Sequence, residues 1–201
     1  MARLKPETSF LPAVKKAFGE ENVIVVKDAM GGQPIRRWYK NWIPPEGVAL
    51  EAQGDLYDSL MNKVFSAIDH EKIATITFIW MQGERDAREQ FGSVYEESLT
   101  GLYSQLCTDL NRKDIHFVTG RLSDFDLQNK KYPHWTMIRD IQVKVAGSNP
   151  RFGWINTDDL NDGFNQKGES IKNDLHMSQE GYKVMGKRFA EKSIQLIRQN
   201  R

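Results

Sequence analysis

The sequence has 201 residues, which fits one domain over residues 1–201 and leaves little room for a second. Its formal net charge is +1, from 28 basic and 27 acidic residues, so no strong field would attract nucleic acid or acidic lipid. No apolar run approaches the roughly 18 residues that a membrane span needs, and the first residues do not read as a secretory signal. The single cysteine, Cys107, excludes an internal disulfide and a metal cluster built from several cysteines. We expect a globular domain without nucleic-acid or membrane partners, in a compartment that the sequence leaves open.

The first part of the chain predicts two helices and two strands. A helix is expected from Pro6 to the stop at Gly19, because apolar residues recur there at helical spacing. The β-branched run Val23–Val26 predicts a buried parallel strand. Asp55 is a suitable N-cap for the next helix, and the apolar run Ile73–Trp80 predicts the second strand.

The second part continues the alternation of helices and strands. Helices are predicted around residues 95–110 and 137–145 and after Ser178, and strands at 115–119 and 152–156. The polar stretches between them are predicted to be loops, at residues 82–88, 121–131 and 157–170. Strands alternating with helices imply βαβ units, so the expected fold class is α/β: a three-layer α/β/α sandwich with a mainly parallel, flavodoxin-like sheet.

Polar residues follow the end of each predicted strand, where ligands bind in an open parallel sheet. They are Gly31 and Gly32; Gln82, Glu84 and Asp86; Arg121, Ser123 and Asp124; and Asp158 and Asp159. Asp174 and His176 precede the last helix and have the composition of a general base with its orienting carboxylate. The alternative is a loop histidine hydrogen-bonded to solvent. Trp38 and Trp42 either line a pocket for a sugar ring or pack in the core.

Three blocks of the sequence resemble one family over nearly the whole chain. They are residues 27–35 followed by Trp38, residues 80–87 (WMQGERDA), and residues 173–182 (NDLHMSQEGY). Together they resemble the SGNH hydrolases, and more narrowly the sialate O-acetylesterase-like branch grouped with carbohydrate esterase family six. The block at residues 80–87 is the most specific of the three.

The resemblance implies a serine esterase that removes O-acetyl groups from carbohydrates, as sialate O-acetylesterases and acetylxylan esterases do, without metal or cofactor. It implies catalytic roles for His176 and Asp174, and oxyanion or substrate-binding roles for Gly32, Gln82, Glu84, Asp86 and Trp38. His176 would be the general base, Gly32 would offer a backbone N–H to the oxyanion, and Gln82 its side-chain amide. Glu84 and Asp86 would support the loop or contact substrate.

The chain departs from the family pattern in two places. The carboxylate three residues before the histidine is replaced by Asn173, and we expect Asp174 to take its role. The Gly-x-Ser block that carries the nucleophile after the first strand is missing, because Gly92-Ser93 and Gly147-Ser148 lie in other blocks. We therefore expect the sequence to begin after the nucleophile.

The missing first strand has a consequence for the sheet. In the strand order 2-1-3-4-5 it is central, so Val23–Val26 and Ile73–Trp80 would each lose a neighbour. Either these two strands pair directly, or another chain supplies a strand in a homo-oligomer, or the natural protein is longer.

Three functions remain open from the sequence. The first is a carbohydrate O-acetylesterase whose serine is missing or supplied unusually. The second is a catalytically inactive carbohydrate-binding pseudoenzyme of the same fold. The third is a phosphate or nucleotide binder at Gly31-Gly32, which requires a helix that starts directly after the glycines.

Overall fold

A three-stranded parallel sheet forms the centre of the computed structural model, which describes residues 5–49 and 52–200. Its strands are β1 (Thr77–Trp80), β2 (His116–Gly120) and β3 (Phe152–Ile155), in the order β1-β2-β3. Thr77 lies opposite His116, and Phe117 lies opposite Phe152. Because the strands are parallel, their carboxyl ends meet at one edge, where the polar segments begin.

The two faces of the sheet carry two separate apolar clusters, because successive side chains of a strand point to opposite faces. One face is aromatic: the ring centroids of Phe78 and Phe117 lie 5.7 Å apart, and those of Phe117 and Phe152 lie 5.4 Å apart. The other face carries the buried aliphatic residues Val118 and Ile155. Both faces are therefore available to helices.

Six α-helices surround this sheet: α1 (Glu7–Phe18), α2 (Asp55–Ile68), α3 (Glu84–Arg88), α4 (Gly92–Asp109), α5 (Trp135–Ala146) and α6 (Gln179–Gln199). Leu102 of α4 and Ile138 of α5 belong to the aromatic cluster, whereas Met185 and Phe189 of α6 belong to the aliphatic one. Helix α1 packs on α6. The predicted three-layer α/β/α arrangement is confirmed. No helix in the described part of the chain is long and apolar enough to cross a bilayer.

The predicted strand Val23–Val26 is wrong. The segment has no regular secondary structure, and the side chains of Ile24 and Val25 are 45% and 42% exposed. Among the described residues, β1 pairs only with β2, so Val23–Val26 does not pair with β1 either. A β-branched run forms a strand only beside a partner strand, and the described sheet provides none for this one.

Three smaller differences concern boundaries and loops. The second predicted strand is shorter than expected and starts at Thr77. The predicted loop at 82–88 contains α3, which follows directly from the turn at Gly83. The predicted loop at 157–170 contains a short hairpin, β4 (Gly163–Phe164) and β5 (Ser170–Ile171). Its turn is closed by the Asn165 side chain, whose Oδ1 accepts from backbone N–H groups of residues 167 and 169.

Candidate functional site

Gln82 lies just past the end of β1 and is almost fully buried. Its Nε2 donates to the carbonyl oxygen of Gln33 at 3.0 Å and to the carboxylate of Asp86. Its main-chain carbonyl accepts from the Tyr95 hydroxyl and from Gln142 Nε2, both at 2.8 Å. Both N–H bonds of the Gln82 amide are therefore in use, so donation to an oxyanion would require it to give up one of them.

Asp86 links the end of β1 to the 3₁₀ turn formed by Ile35–Arg37. Its Oδ2 accepts from the backbone N–H of Ile35 at 2.9 Å as well as from Gln82. Its Oδ1 has no partner among the described residues, and the side chain has no solvent exposure. Burial raises the pKa of Asp86 to about 7. Asp86 holds the loop in place, and its burial keeps it from contacting substrate.

Gly32 forms an exposed turn next to this pair. Its φ is +70°, in the left-handed region that favours glycine, and a Cβ there would meet open space. No described residue accepts its N–H, so this donor is free for a ligand. The chain continues into a 3₁₀ turn, Ile35–Arg37, and not into an α-helix. The nucleotide-binding alternative thus lacks the helix that it requires.

Trp38 and Trp42 pack in the core. They are only 6% and 3% exposed, and Trp38 stands edge-on against Trp80 with ring centroids 5.3 Å apart. Rings with so little exposure have no free face for a sugar. Both tryptophans match the alternative of packing in the core. The expected contact of Trp38 with substrate does not fit this burial.

His176 lies in the loop before α6 with its ring mostly exposed. Asp174 Oδ1 accepts from the backbone N–H of His176 at 2.8 Å, whereas the ring Nδ1 lies 3.7 Å from the same oxygen. The carboxylate therefore fixes the backbone of His176 and stands just beyond hydrogen-bond distance of its ring.

Asn173, at the position where the family carries its acid, is hydrogen-bonded to neighbouring loops. Its φ is +47°, and its amide donates to the carbonyl of Phe125 at 3.3 Å. Its Oδ1 accepts from Asn161 Nδ2 at 3.3 Å. These contacts tie Asn173 to neighbouring loops, and Asp174 is the one of the two that approaches the histidine ring.

Glu84 and Leu175 relate the two distant blocks of the site to each other. Glu84 is the first residue of α3 and is partly buried. Burial raises the pKa of its carboxyl, and the charge of His176 opposes that rise. Leu175, next to His176, packs against the apolar cluster that contains Trp80 and Ala87, so the loop before α6 lies near the end of β1.

Two residues that contact Gln82 were not predicted from the sequence. Gln142 is fully buried on α5; its Oε1 accepts from the backbone N–H of Leu122 at 2.8 Å while its Nε2 binds Gln82. Tyr95 adds a second donor to Gln82. Gln142 stands four residues after Ile138 on the apolar face of its helix, and a polar residue at such a position was the available signal.

A cavity of about 280 Å³ opens beside Gly32. It is lined by Gly32, Gln33, Pro34, Arg36, Arg37, Ala52 and Arg85. Three of its seven lining residues are arginines, and each is ion-paired, Arg36 and Arg85 with Glu89 and Arg37 with Asp55. Among the described residues, no serine hydroxyl bonds to the His176 ring, and no cluster of His, Cys, Asp or Glu could hold a metal ion.

Comparison with known proteins supports the same family as the sequence blocks. The family described as "SASA: Carbohydrate esterase, sialic acid-specific acetylesterase" matches residues 1–195. No curated protein matches the chain. A protein from Arabidopsis thaliana, solved by X-ray crystallography at 1.6 Å resolution, is similar in structure with a TM-score of 0.70. It is 18% identical, and the match covers 94% of this chain and 68% of that one, which shows a shared fold.

The family match extends over nearly all of the sequence, including the three blocks that carry the resemblance. The chain therefore belongs to the sialic acid-specific acetylesterase family of carbohydrate esterases, with the α/β/α fold of the SGNH type.

Proposed function

We propose that the chain hydrolyses O-acetyl esters of carbohydrates, with His176 as the general base. The observation that carries this proposal is the packing of Leu175, next to His176, against the apolar cluster that contains Trp80 and Ala87, which holds the loop before α6 near the end of β1. The free N–H of Gly32 is joined to the same wall, because Gln82 binds the Gln33 carbonyl. A base and an oxyanion donor are two of the three parts that acyl transfer by a serine mechanism needs, and the third is the nucleophile.

In this mechanism a serine hydroxyl attacks the acetyl carbonyl and gives its proton to His176. The negative charge that develops on the carbonyl oxygen is stabilised by the N–H of Gly32, and by Gln82 once its amide releases a partner. The sugar leaves with a proton from His176. Water then gives a proton to His176 and attacks the acetyl-enzyme, the ester bond to the serine breaks, acetate is released, and His176 returns the proton to the serine. We assign the serine to no residue of this chain. Asp174 orients His176 through its backbone, and a small movement would bring the ring into hydrogen-bond distance.

The test is acetate release from 4-nitrophenyl acetate and from O-acetylated N-acetylneuraminic acid. We expect slow turnover that His176→Ala abolishes. His70→Ala is the matched control, since His70 is also an exposed histidine and reports attack by any surface imidazole. Strong turnover that survives replacement of each serine by alanine would rule out the serine mechanism.

A second candidate is carbohydrate binding without catalysis. It is favoured by the engagement of both Gln82 N–H bonds and by the 3.7 Å gap between Asp174 and the His176 ring. Calorimetry with acetylated and deacetylated glycans separates the two candidates. Binding of the acetylated glycan without acetate release identifies a binding protein.

A further inference from the structure

We propose that Asn161 is a positioning residue for His176 and that it acts through Asp174. This inference rests on the proposed function, because it takes His176 as the general base. It adds a buried residue, out of reach of substrate, that determines where the base stands.

The loop that carries His176 needs support from other segments. Residues 172–178 form neither helix nor strand, and the His176 side chain is 75% exposed, so the position of the ring follows from that of the loop backbone. Asn173 has a φ of +47°, in the left-handed region. Asparagine tolerates this region better than most residues, but its surroundings still have to hold it there.

Asn161 holds Asp174 on both sides. Its main-chain carbonyl accepts from the Asp174 N–H at 3.2 Å, and its side-chain Nδ2 donates to the Asp174 carbonyl at 3.1 Å. Both peptide units that flank Asp174 are thus fixed in orientation, and this directs its side chain. Asp174 Oδ1 in turn accepts from the backbone N–H of His176 at 2.8 Å. A chain of hydrogen bonds therefore runs from Asn161 to the base.

The position of Asn161 requires an amide, because several acceptors converge on it. The residue is 2% exposed, and Nδ2 lies 3.2 Å from Asp124 Oδ1 and 3.3 Å from Asn173 Oδ1. A side chain without N–H groups leaves these oxygens unsatisfied, and a carboxylate there would face the charge of Asp124. The Asn161 amide therefore joins the loop after β2 to the loop before α6.

Amide hydrogen–deuterium exchange of the full chain, followed by NMR, tests this inference without any need for turnover. Asn161→Asp keeps the shape of the side chain and removes its N–H donors. We expect exchange at Asp174 and His176 to accelerate about tenfold more than exchange at Phe189, as the loss of one local hydrogen bond allows. Phe189 lies within α6 and reports the stability of the whole fold.

Asn129→Asp is the matched control for this measurement. Asn129 Nδ2 donates to the Thr136 hydroxyl at 2.8 Å in another loop, so the control also loses an amide donor. It should leave exchange at residues 174 and 176 unchanged. If Asn161→Asp does not fold, Asn161→Ala removes the same donors without burying a charge and is judged by the same comparison.

Turnover of 4-nitrophenyl acetate separates positioning from general stabilisation. Asn161→Asp should lower kcat about tenfold and leave KM unchanged, because the base is displaced while the wall at Gly32 keeps its contacts. Asn129→Asp should keep both constants.

The outcomes separate the two proposals. Unchanged exchange at residues 174 and 176, equal acceleration within α6, or an unchanged kcat overturns the inference and leaves the proposed function standing. Local acceleration with a lowered kcat supports both. Absence of turnover in the unaltered chain overturns the proposed function, and local acceleration then supports only the positioning of His176 by Asn161.

Discussion

Asp86 joins two parts of the site through a single buried carboxyl. It accepts from Ile35 on one side and from Gln82 on the other, and its second oxygen is buried with no described partner. A carboxylate so placed loses its hydration without full compensation, which is why its pKa rises to about 7. The site therefore contains a group that titrates near neutral pH without touching solvent.

The titration of Asp86 should appear in the pH dependence of stability. Its folded pKa lies above the ordinary value of 3.8, so between about pH 4 and 7 the folded state holds a proton that the unfolded state has released. With respect to this group, the free energy of unfolding is highest below about pH 4. It falls by about 2–4 kcal/mol as the pH rises to about 7.

Asp86→Asn has the same shape and does not titrate. Urea denaturation from pH 4.5 to 8 should show the variant gaining stability relative to the unaltered chain as the pH rises. Asp140→Asn, at an exposed position on α5, is the control and should follow the unaltered chain. Parallel curves for Asp86→Asn and the unaltered chain would mean that Asp86 does not titrate in this range.

At the scale of the element, the start of α6 positions the loop that carries His176. Ser178 caps the helix by accepting from the N–H of Gly181 at 3.0 Å, and its own N–H donates to Leu160 at 2.8 Å. Gly181 permits this docking, since a Cβ there would lie 2.0 Å from the Leu160 carbonyl oxygen. The start of α6 therefore packs directly against the backbone of Leu160, with no space for a side chain at position 181.

Gly181→Ala should destabilise the protein although alanine favours helices. The gain in helix propensity is about 1 kcal/mol, and the clash with backbone should exceed it and leave a net loss of about 2 kcal/mol. Gly147→Ala is the matched control, because its Cβ would meet only ordinary contacts at 3.6 Å. Thermal unfolding and ligand binding of both variants decide this, and a stability gain in Gly181→Ala would contradict the close docking of α6.

Elements with long periodic patterns were predictable, and elements that depend on neighbours were not. The helix after Ser178 carries apolar residues over many turns, so its pattern alone is sufficient. Val23–Val26 has a strand composition, yet its state depends on a partner strand that composition cannot reveal. Helix α3 has only five residues and is mostly charged, so local pattern gave no sign of it.

For the whole molecule, the family blocks predicted the residues of the candidate site but not the contacts between them. Gln82, Gly32 and His176 could be named from the sequence. The engagement of both Gln82 N–H bonds depends on Gln33 and Asp86, which only the folded loop brings into contact. The same holds for the cavity beside Gly32, where Arg37 and Arg85 converge from separate segments. Contacts of this kind follow from tertiary packing and leave no local pattern.

The one-sided pairing of β1 has a consequence for the exchange of its backbone amides with solvent. The N–H of His116 donates to the carbonyl of Ile76, so in a parallel ladder the N–H groups of Phe78 and Trp80 point to β2. Those of Thr77 and Ile79 point the other way, where the described residues offer no acceptor. Hydrogen–deuterium exchange followed by NMR should therefore alternate along the strand, fast at 77 and 79 and slow at 78 and 80. Uniform protection along the strand would reveal that a further strand, from another copy or another segment, covers this edge in solution.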